Sequence, residues 1–193
     1  MCTVNDALKE LPFYVGQKVV YPSQGVGVIQ AIEEKEFKSV RDFYYIIYLE
    51  TSDMIIKMPC SRALSLGIRP IVDAEQGEKA LDIIGELFEP IPSDWKARYQ
   101  MNLDLLKKGS IENIALIVRS LYHRSQIKEL PVLERRLYDS ALKLLEDELS
   151  YAFQKPKHEI EDLIFARLAR TIELANKELA EDPDILIDSD FIT

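Results

Sequence analysis

Two cysteines, two histidines, one tryptophan and seven glycines are spread over 193 residues. Cys2 and Cys60 are too few for a disulfide framework or a zinc site, and they read as reduced thiols of a cytoplasmic protein. Cys60 follows Pro59 at a predicted strand end with no base nearby, the setting of a buried structural thiol rather than a nucleophile. His123 and His158 fall in separate predicted helices, so no Ser-His-Asp arrangement can be built on either. No Walker-type phosphate loop is present. "GVGVIQ" lacks the third glycine of a dinucleotide loop and sits inside a hairpin pattern. These absences leave no enzymatic constellation, and neither a metal nor a cofactor is expected. No apolar run approaches the roughly 20 residues of a membrane helix. The start, "MCTVNDALKELPFYVG", has no basic segment followed by an apolar one, so neither export nor a membrane partner is expected.

Positive charge is also short. Lys and Arg number 24 against 33 Asp and Glu, and the net charge of -9 argues against indiscriminate DNA binding. The average hides an island. Residues 93–138 hold 9 basic and 5 acidic side chains, net +4, between flanks of -5 and -8. A basic stretch is often only a solvated helix face, so charge alone leaves both readings open.

What is plentiful is β-branched and aromatic sequence early, and helical periodicity later. In "QKVVYPSQGVGVIQAIEE" two β-branched runs are split by the turn signal "PSQG". "DFYYIIYLE" is apolar on both faces. "TSD" then turns the chain into "MIIKMP", where Met54, Ile56 and Met58 alternate with Ile55 and Lys57. Four or five short strands predict a small SH3-like or Tudor-like β-barrel over 13–68. Five helical segments follow over 73–181, giving an α+β chain with a C-terminal all-α bundle. The first carries Ala80, Ile83, Ile84 and Leu87 at helical spacing, and "EPIPS" ends it. Ser93 or Asp94 can cap the second, with Lys107, Lys108 and Gly109 suited to its C-terminus. Ser110 can cap a third helix running to about residue 124. Pro131 suits the first turn of a fourth, and a fifth covers about 158–179. An acidic tail, 182–193, closes the chain.

Two groups of residues stand out. Lys57 is the one charge within "MIIKMP", and Lys35 sits where the second strand enters a charged loop. Lysines there can simply block edge-to-edge strand pairing, or they can meet a partner. Trp95, Tyr99, Leu103 and Leu106 form one helical stripe, which by periodicity makes Trp95 a core residue. Position favours the opposite, because Trp95 lies in a first turn just after "PIPS". A compact bundle would bring Lys96, Arg98, Arg124, Arg135 and Arg136 near it, and an indole so placed can stack on a base or wedge into a base step.

"YVGQKVVYPSQGVGVIQAIEE", "DFYYIIYLETSDMIIKMP" and "PSDWKARYQMNLDLLKKGSIENIALIVRSLYHR", in that order, resemble the CarD/CdnL family of bacterial transcription regulators over about 13–153. The resemblance implies that the barrel docks on the RNA polymerase β subunit, with Lys35 and Lys57 at the matching polymerase-binding positions. It implies that the helical module contacts promoter DNA, with Trp95 as a minor-groove wedge and Arg98 and Arg135 near the DNA. Lys96 is grouped with them. Ala97 and Gln100 stand where some relatives are basic. The expected function is a transcription regulator, not an enzyme, that acts as a monomer and stabilises the promoter open complex at the upstream edge of the bubble. The alternative is a protein-interaction adaptor whose barrel binds another partner and whose helices are structural. An exposed Trp95 favours the first reading and a buried one the second.

Overall fold

The structure, a computed structural model, describes residues 11–37, 40–87, 92 and 94–181. The acidic tail and the capping role open to Ser93 lie outside them. The chain divides into two compact units, Met1–Ile71 and Val72–Thr193.

Among the described residues of the first unit, five antiparallel strands form one sheet: β1 (Lys18–Tyr21), β2 (Gly25–Phe37), β3 (Val40–Leu49), β4 (Met54–Pro59) and β5 (Arg69–Pro70), in the order β4-β3-β2-β1-β5. The turn signals work through left-handed backbone: Ser23 and Gly25 after β1, and Asp53 after β3, all have positive φ. The Tyr48 hydroxyl donates to the Asp53 carboxylate at 2.9 Å and pins the second turn. A register shift between Ile29 and Ala31 bends β2, which pairs with β1 near its start and with β3 along its length. The expected barrel does not close. Among the described residues the sheet is open, with β4 and β5 at its edges. A physical reason lies in β5, which is two residues long and ends in Pro70, a residue with no N–H to extend a ladder.

The inner face of the sheet buries Val19, Ile29, Tyr45, Ile47, Leu49 and Met58. The Tyr45 hydroxyl accepts from the Phe13 amide at 3.1 Å and donates to the Phe13 carbonyl at 3.3 Å. Burial pushes that phenol up to about 12 and the neighbouring Cys60 thiol up to about 11, so Cys60 stays protonated and unreactive. Gly27 shows how tight this face is. A Cβ there would stand 2.7 Å from the Ile47 side chain, 2.9 Å from Leu49 and 3.0 Å from the Tyr48 carbonyl. Gly27→Ala should therefore cost about 1–3 kcal/mol by overpacking. A urea unfolding midpoint equal to wild type would show that the strand yields freely.

The second unit holds α1 (Ala74–Gly85), α2 (Trp95–Lys108), α3 (Ile111–Ile127), α4 (Val132–Phe153) and α5 (Lys157–Glu181). Its helix ends follow capping chemistry. Asp73 and Gln76 form a reciprocal capping box at α1, Asp94 caps α2, Gly109 ends α2 at φ 72, Ser110 caps α3, and Pro131 precedes α4. The core centres on Ile84, Ile117, Leu121, Leu145, Leu149 and Ile164, all with no exposed surface.

Acidic groups cluster where α4 packs on α5. The buried Asp147 pairs with Lys157 at 2.5 Å. Burial, then the charges of Glu161 and Asp147, push the Glu146 carboxyl up to about 7, against an opposing pull from Lys157 and Lys143. Its folded pKa lies above the ordinary 4.5, so the folded state holds this proton more tightly than the unfolded chain. The resulting stability is complete below about pH 4.5 and is lost as pH rises through about 7. Glu146→Gln keeps a neutral side chain at every pH. It should unfold at a higher temperature than wild type at about pH 8, and the gap should narrow toward about pH 5. A constant gap across that range would remove Glu146 as its source.

Candidate functional site

Lys35 and Lys57 lie on strands that flank β3, and register decides whether they share a face. Lys35 pairs with Asp42, and Lys57 pairs with Ile46. Cross-strand partners point to the same side, and Asp42 and Ile46 are an even number of residues apart. Both lysines therefore project from the outer face, opposite the Tyr45/Ile47 core. Their Cα positions are separated by roughly 13 Å along the strands and about 10 Å across them. Tyr44 lies between them on the same face. The Lys35 ammonium sits 5.8 Å from the centre of its ring and 3.4 Å from the Glu33 carboxylate. Lys57 is exposed, as is Ile55, which pairs with Tyr48 on this face. The face thus mixes basic, acidic and apolar groups, since Glu33 and Asp42 share it with the two lysines. Lys35 is placed inside β2 rather than at its end.

In the helical unit, Asp94 sets the start of α2. Its carboxylate accepts from the Lys96 amide at 3.0 Å and its carbonyl from the Arg98 amide at 3.0 Å. Trp95, the first helical residue, keeps 37% of its surface exposed. The Lys96 ammonium lies 5.9 Å from the centre of the indole, within cation–π range. The stripe that periodicity suggested is rotated. The buried line of α2 runs through Arg98, Asn102 and Leu106, with Tyr99 and Leu105 only partly covered. Ala97 and Gln100 face outward, and the Gln100 amide donates to Asp104 at 3.0 Å.

Arg98 requires a correction. The resemblance sets it beside DNA, but the structure buries it to 1% exposure. Its Nε and Nη2 donate to the two carboxylate oxygens of Glu134, both at 2.7 Å, and its Nη1 donates to the Pro92 carbonyl at 2.7 Å. Glu134 has no exposed surface. A guanidinium engaged along all three of its nitrogens inside the fold cannot reach a phosphate or a base edge. Glu134 itself was not singled out from sequence. A lone acid in "LERRLY" reads as one more helix-surface charge, and only its fit to an inward-facing arginine reveals it.

The pair fastens the first turn of α2 to the first turn of α4. It sets the helix start that carries Trp95 and Lys96 beside the one that carries Arg135 and Arg136, and both of those arginines are exposed. Arg124, on α3, is half-buried. Among the described residues no cluster of His, Cys, Asp and Glu could hold a metal ion, and no helix is long and apolar enough to cross a membrane.

A strand-rich unit whose outer face carries Lys35 and Lys57 is thus followed by a helical unit that presents one indole beside Lys96. The family models agree in order and extent. Residues 13–72 match the CarD-like/TRCF RID domain, and residues 79–165 match the CarD C-terminal domain. The chain is also 39% identical over 141 residues to "Putative transcription factor YdeB" of Bacillus subtilis (strain 168), covering 71% of this chain and 90% of that protein. The chain belongs to the CarD family and is a transcription-associated factor.

Proposed function

We propose that the protein docks on the RNA polymerase β subunit through the Lys35/Lys57 face and stabilises the promoter open complex with Trp95. The observation that carries this reading is the exposed indole at the capped start of α2, beside Lys96 and set against a helix start bearing Arg135. An adaptor with purely structural helices would be expected to bury its one tryptophan.

Wedging an indole into intact duplex costs a few kcal/mol of unstacking. At the upstream edge of a bubble part of that cost has already been met by melting, so the wedge binds open DNA better than closed DNA. Only such a difference in affinity moves an equilibrium. With Arg98 turned inward, the DNA contacts fall to Trp95, Lys96 and Arg135. These few contacts on a chain of net charge -9 make for weak binding to free DNA. Docking on polymerase compensates by raising the local concentration of the wedge, to around millimolar for a short tether. The protein acts in this way as a monomer in the cytoplasm, and transcription regulation is its output.

The experiment is the lifetime of promoter open complexes formed by purified polymerase, with and without the protein. A longer lifetime is expected, and an unchanged one would remove this function. Docking has its own check. Lys57→Glu reverses charge on the proposed β-subunit face at an exposed position, so it should weaken binding to the isolated β subunit without altering the fold. Equal affinity in a two-component assay would take Lys57 out of the interface.

A further inference from the structure

We propose that Glu134 is a positioning residue for Trp95, acting through Arg98. This rests on the wedge reading above and extends it to two residues that touch no DNA. Trp95 lies in the short segment from Pro92 to Arg98. One guanidinium holds both ends of that segment, since Arg98 belongs to it and also donates to the Pro92 carbonyl at 2.7 Å. Glu134, on another helix 36 residues away, fixes the guanidinium itself through two parallel bonds of 2.7 Å. The Asp94 cap braces the same segment from outside. The indole therefore stands on a turn tied at three points, with Lys96 over its ring.

Stability alone does not explain this choice of residues. Removing two charges from water is costly, and a well-packed apolar pair in the same volume is often as stable or more so. What the apolar pair lacks is direction. A planar fork on a carboxylate admits one alignment, whereas apolar side chains slide and rotate against each other. The pair fixes the angle at which α2 begins, and hence where the indole points before any DNA arrives. A side chain held in its bound orientation loses less freedom on binding, and that saving appears as a longer-lived complex.

The single tryptophan makes the test direct, because all indole fluorescence of the full-length protein comes from Trp95. Two variants are compared with wild type: Arg98→Met/Glu134→Leu, which keeps an apolar-packed core, and Glu134→Gln, which keeps the shape but loses one of the two bonds. Time-resolved anisotropy and acrylamide quenching report indole freedom without DNA. Open-complex lifetime reports function, and circular dichroism confirms helix content. The expected result is retained helix content, faster local indole motion, greater quenching, and an open complex shortened roughly two- to tenfold. A folded variant with wild-type anisotropy and quenching would overturn the proposal, as would freed indole motion with a wild-type lifetime. If the Met/Leu variant does not fold, the Gln variant decides on the same readouts. Trp95→Ala, run alongside, separates the two ideas. An unchanged lifetime in that variant sinks the wedge reading, while the anisotropy still shows whether the pair fixes the indole.

Discussion

Trp95→Ala should shorten the open complex by roughly 5- to 150-fold while leaving the protein folded and polymerase-bound. The range follows from about 1–3 kcal/mol for a base stacked on an aromatic side chain, with about 1.4 kcal/mol for each factor of ten. Thermal unfolding of the same variant supplies the control. A core tryptophan would cost about 3–5 kcal/mol of stability when truncated. Trp95 retains 37% of its surface in the folded chain and stands in a first turn, so its removal should cost far less than that. Binding to the β subunit should be unaltered, since the Lys35/Lys57 face belongs to the other unit. A large loss of stability, or an unchanged lifetime, would return Trp95 to a structural role.

The largest effect on stability should come from a residue with no exposed surface. Glu134→Ala leaves the Arg98 guanidinium buried without its carboxylate, and breaking such a pair from one side costs about 3–5 kcal/mol. Arg98→Ala should cost a similar amount, because it strands Glu134 instead. The double substitution Arg98→Ala/Glu134→Ala should cost much less than the two single changes together, because neither charge is then left stranded. A double-mutant cycle in urea measures that non-additivity directly. Single changes below about 1 kcal/mol would mean that water reaches the pair and screens it.

The strands and helices were legible because their signals are local. Turn residues such as Asp53, caps such as Asp94 and Ser110, and the proline before α4 act on their immediate neighbours, and the structure uses each of them. The α+β character follows from the same local patterns. Barrel closure was not legible in this way, since it depends on whether two strands distant in sequence meet, and the two-residue β5 does not reach β4. The shared face of Lys35 and Lys57 required the pairings of β3, which no single strand contains. Arg98 was set beside DNA by the resemblance, which carries a basic position but not the direction of its side chain, and the helical stripe offered nothing to turn it inward. Hydrophobic periodicity assigns every arginine to the surface, so a helix whose inward line is Arg98, Asn102 and Leu106 looks rotated when read from its apolar residues alone. The inward arginine becomes intelligible only with its carboxylate, 36 positions further along the chain.

That separation has an evolutionary consequence. Positions 98 and 134 form one heritable unit written in two places. A lineage that alters either alone passes through a protein with a stranded buried charge, at a cost comparable to much of a typical domain's total stability. Related sequences are therefore expected to keep both residues or to exchange both. Drift is expected instead at the outward positions beside them, Ala97 and Gln100 among others, where the basic character of the surface can be tuned one residue at a time.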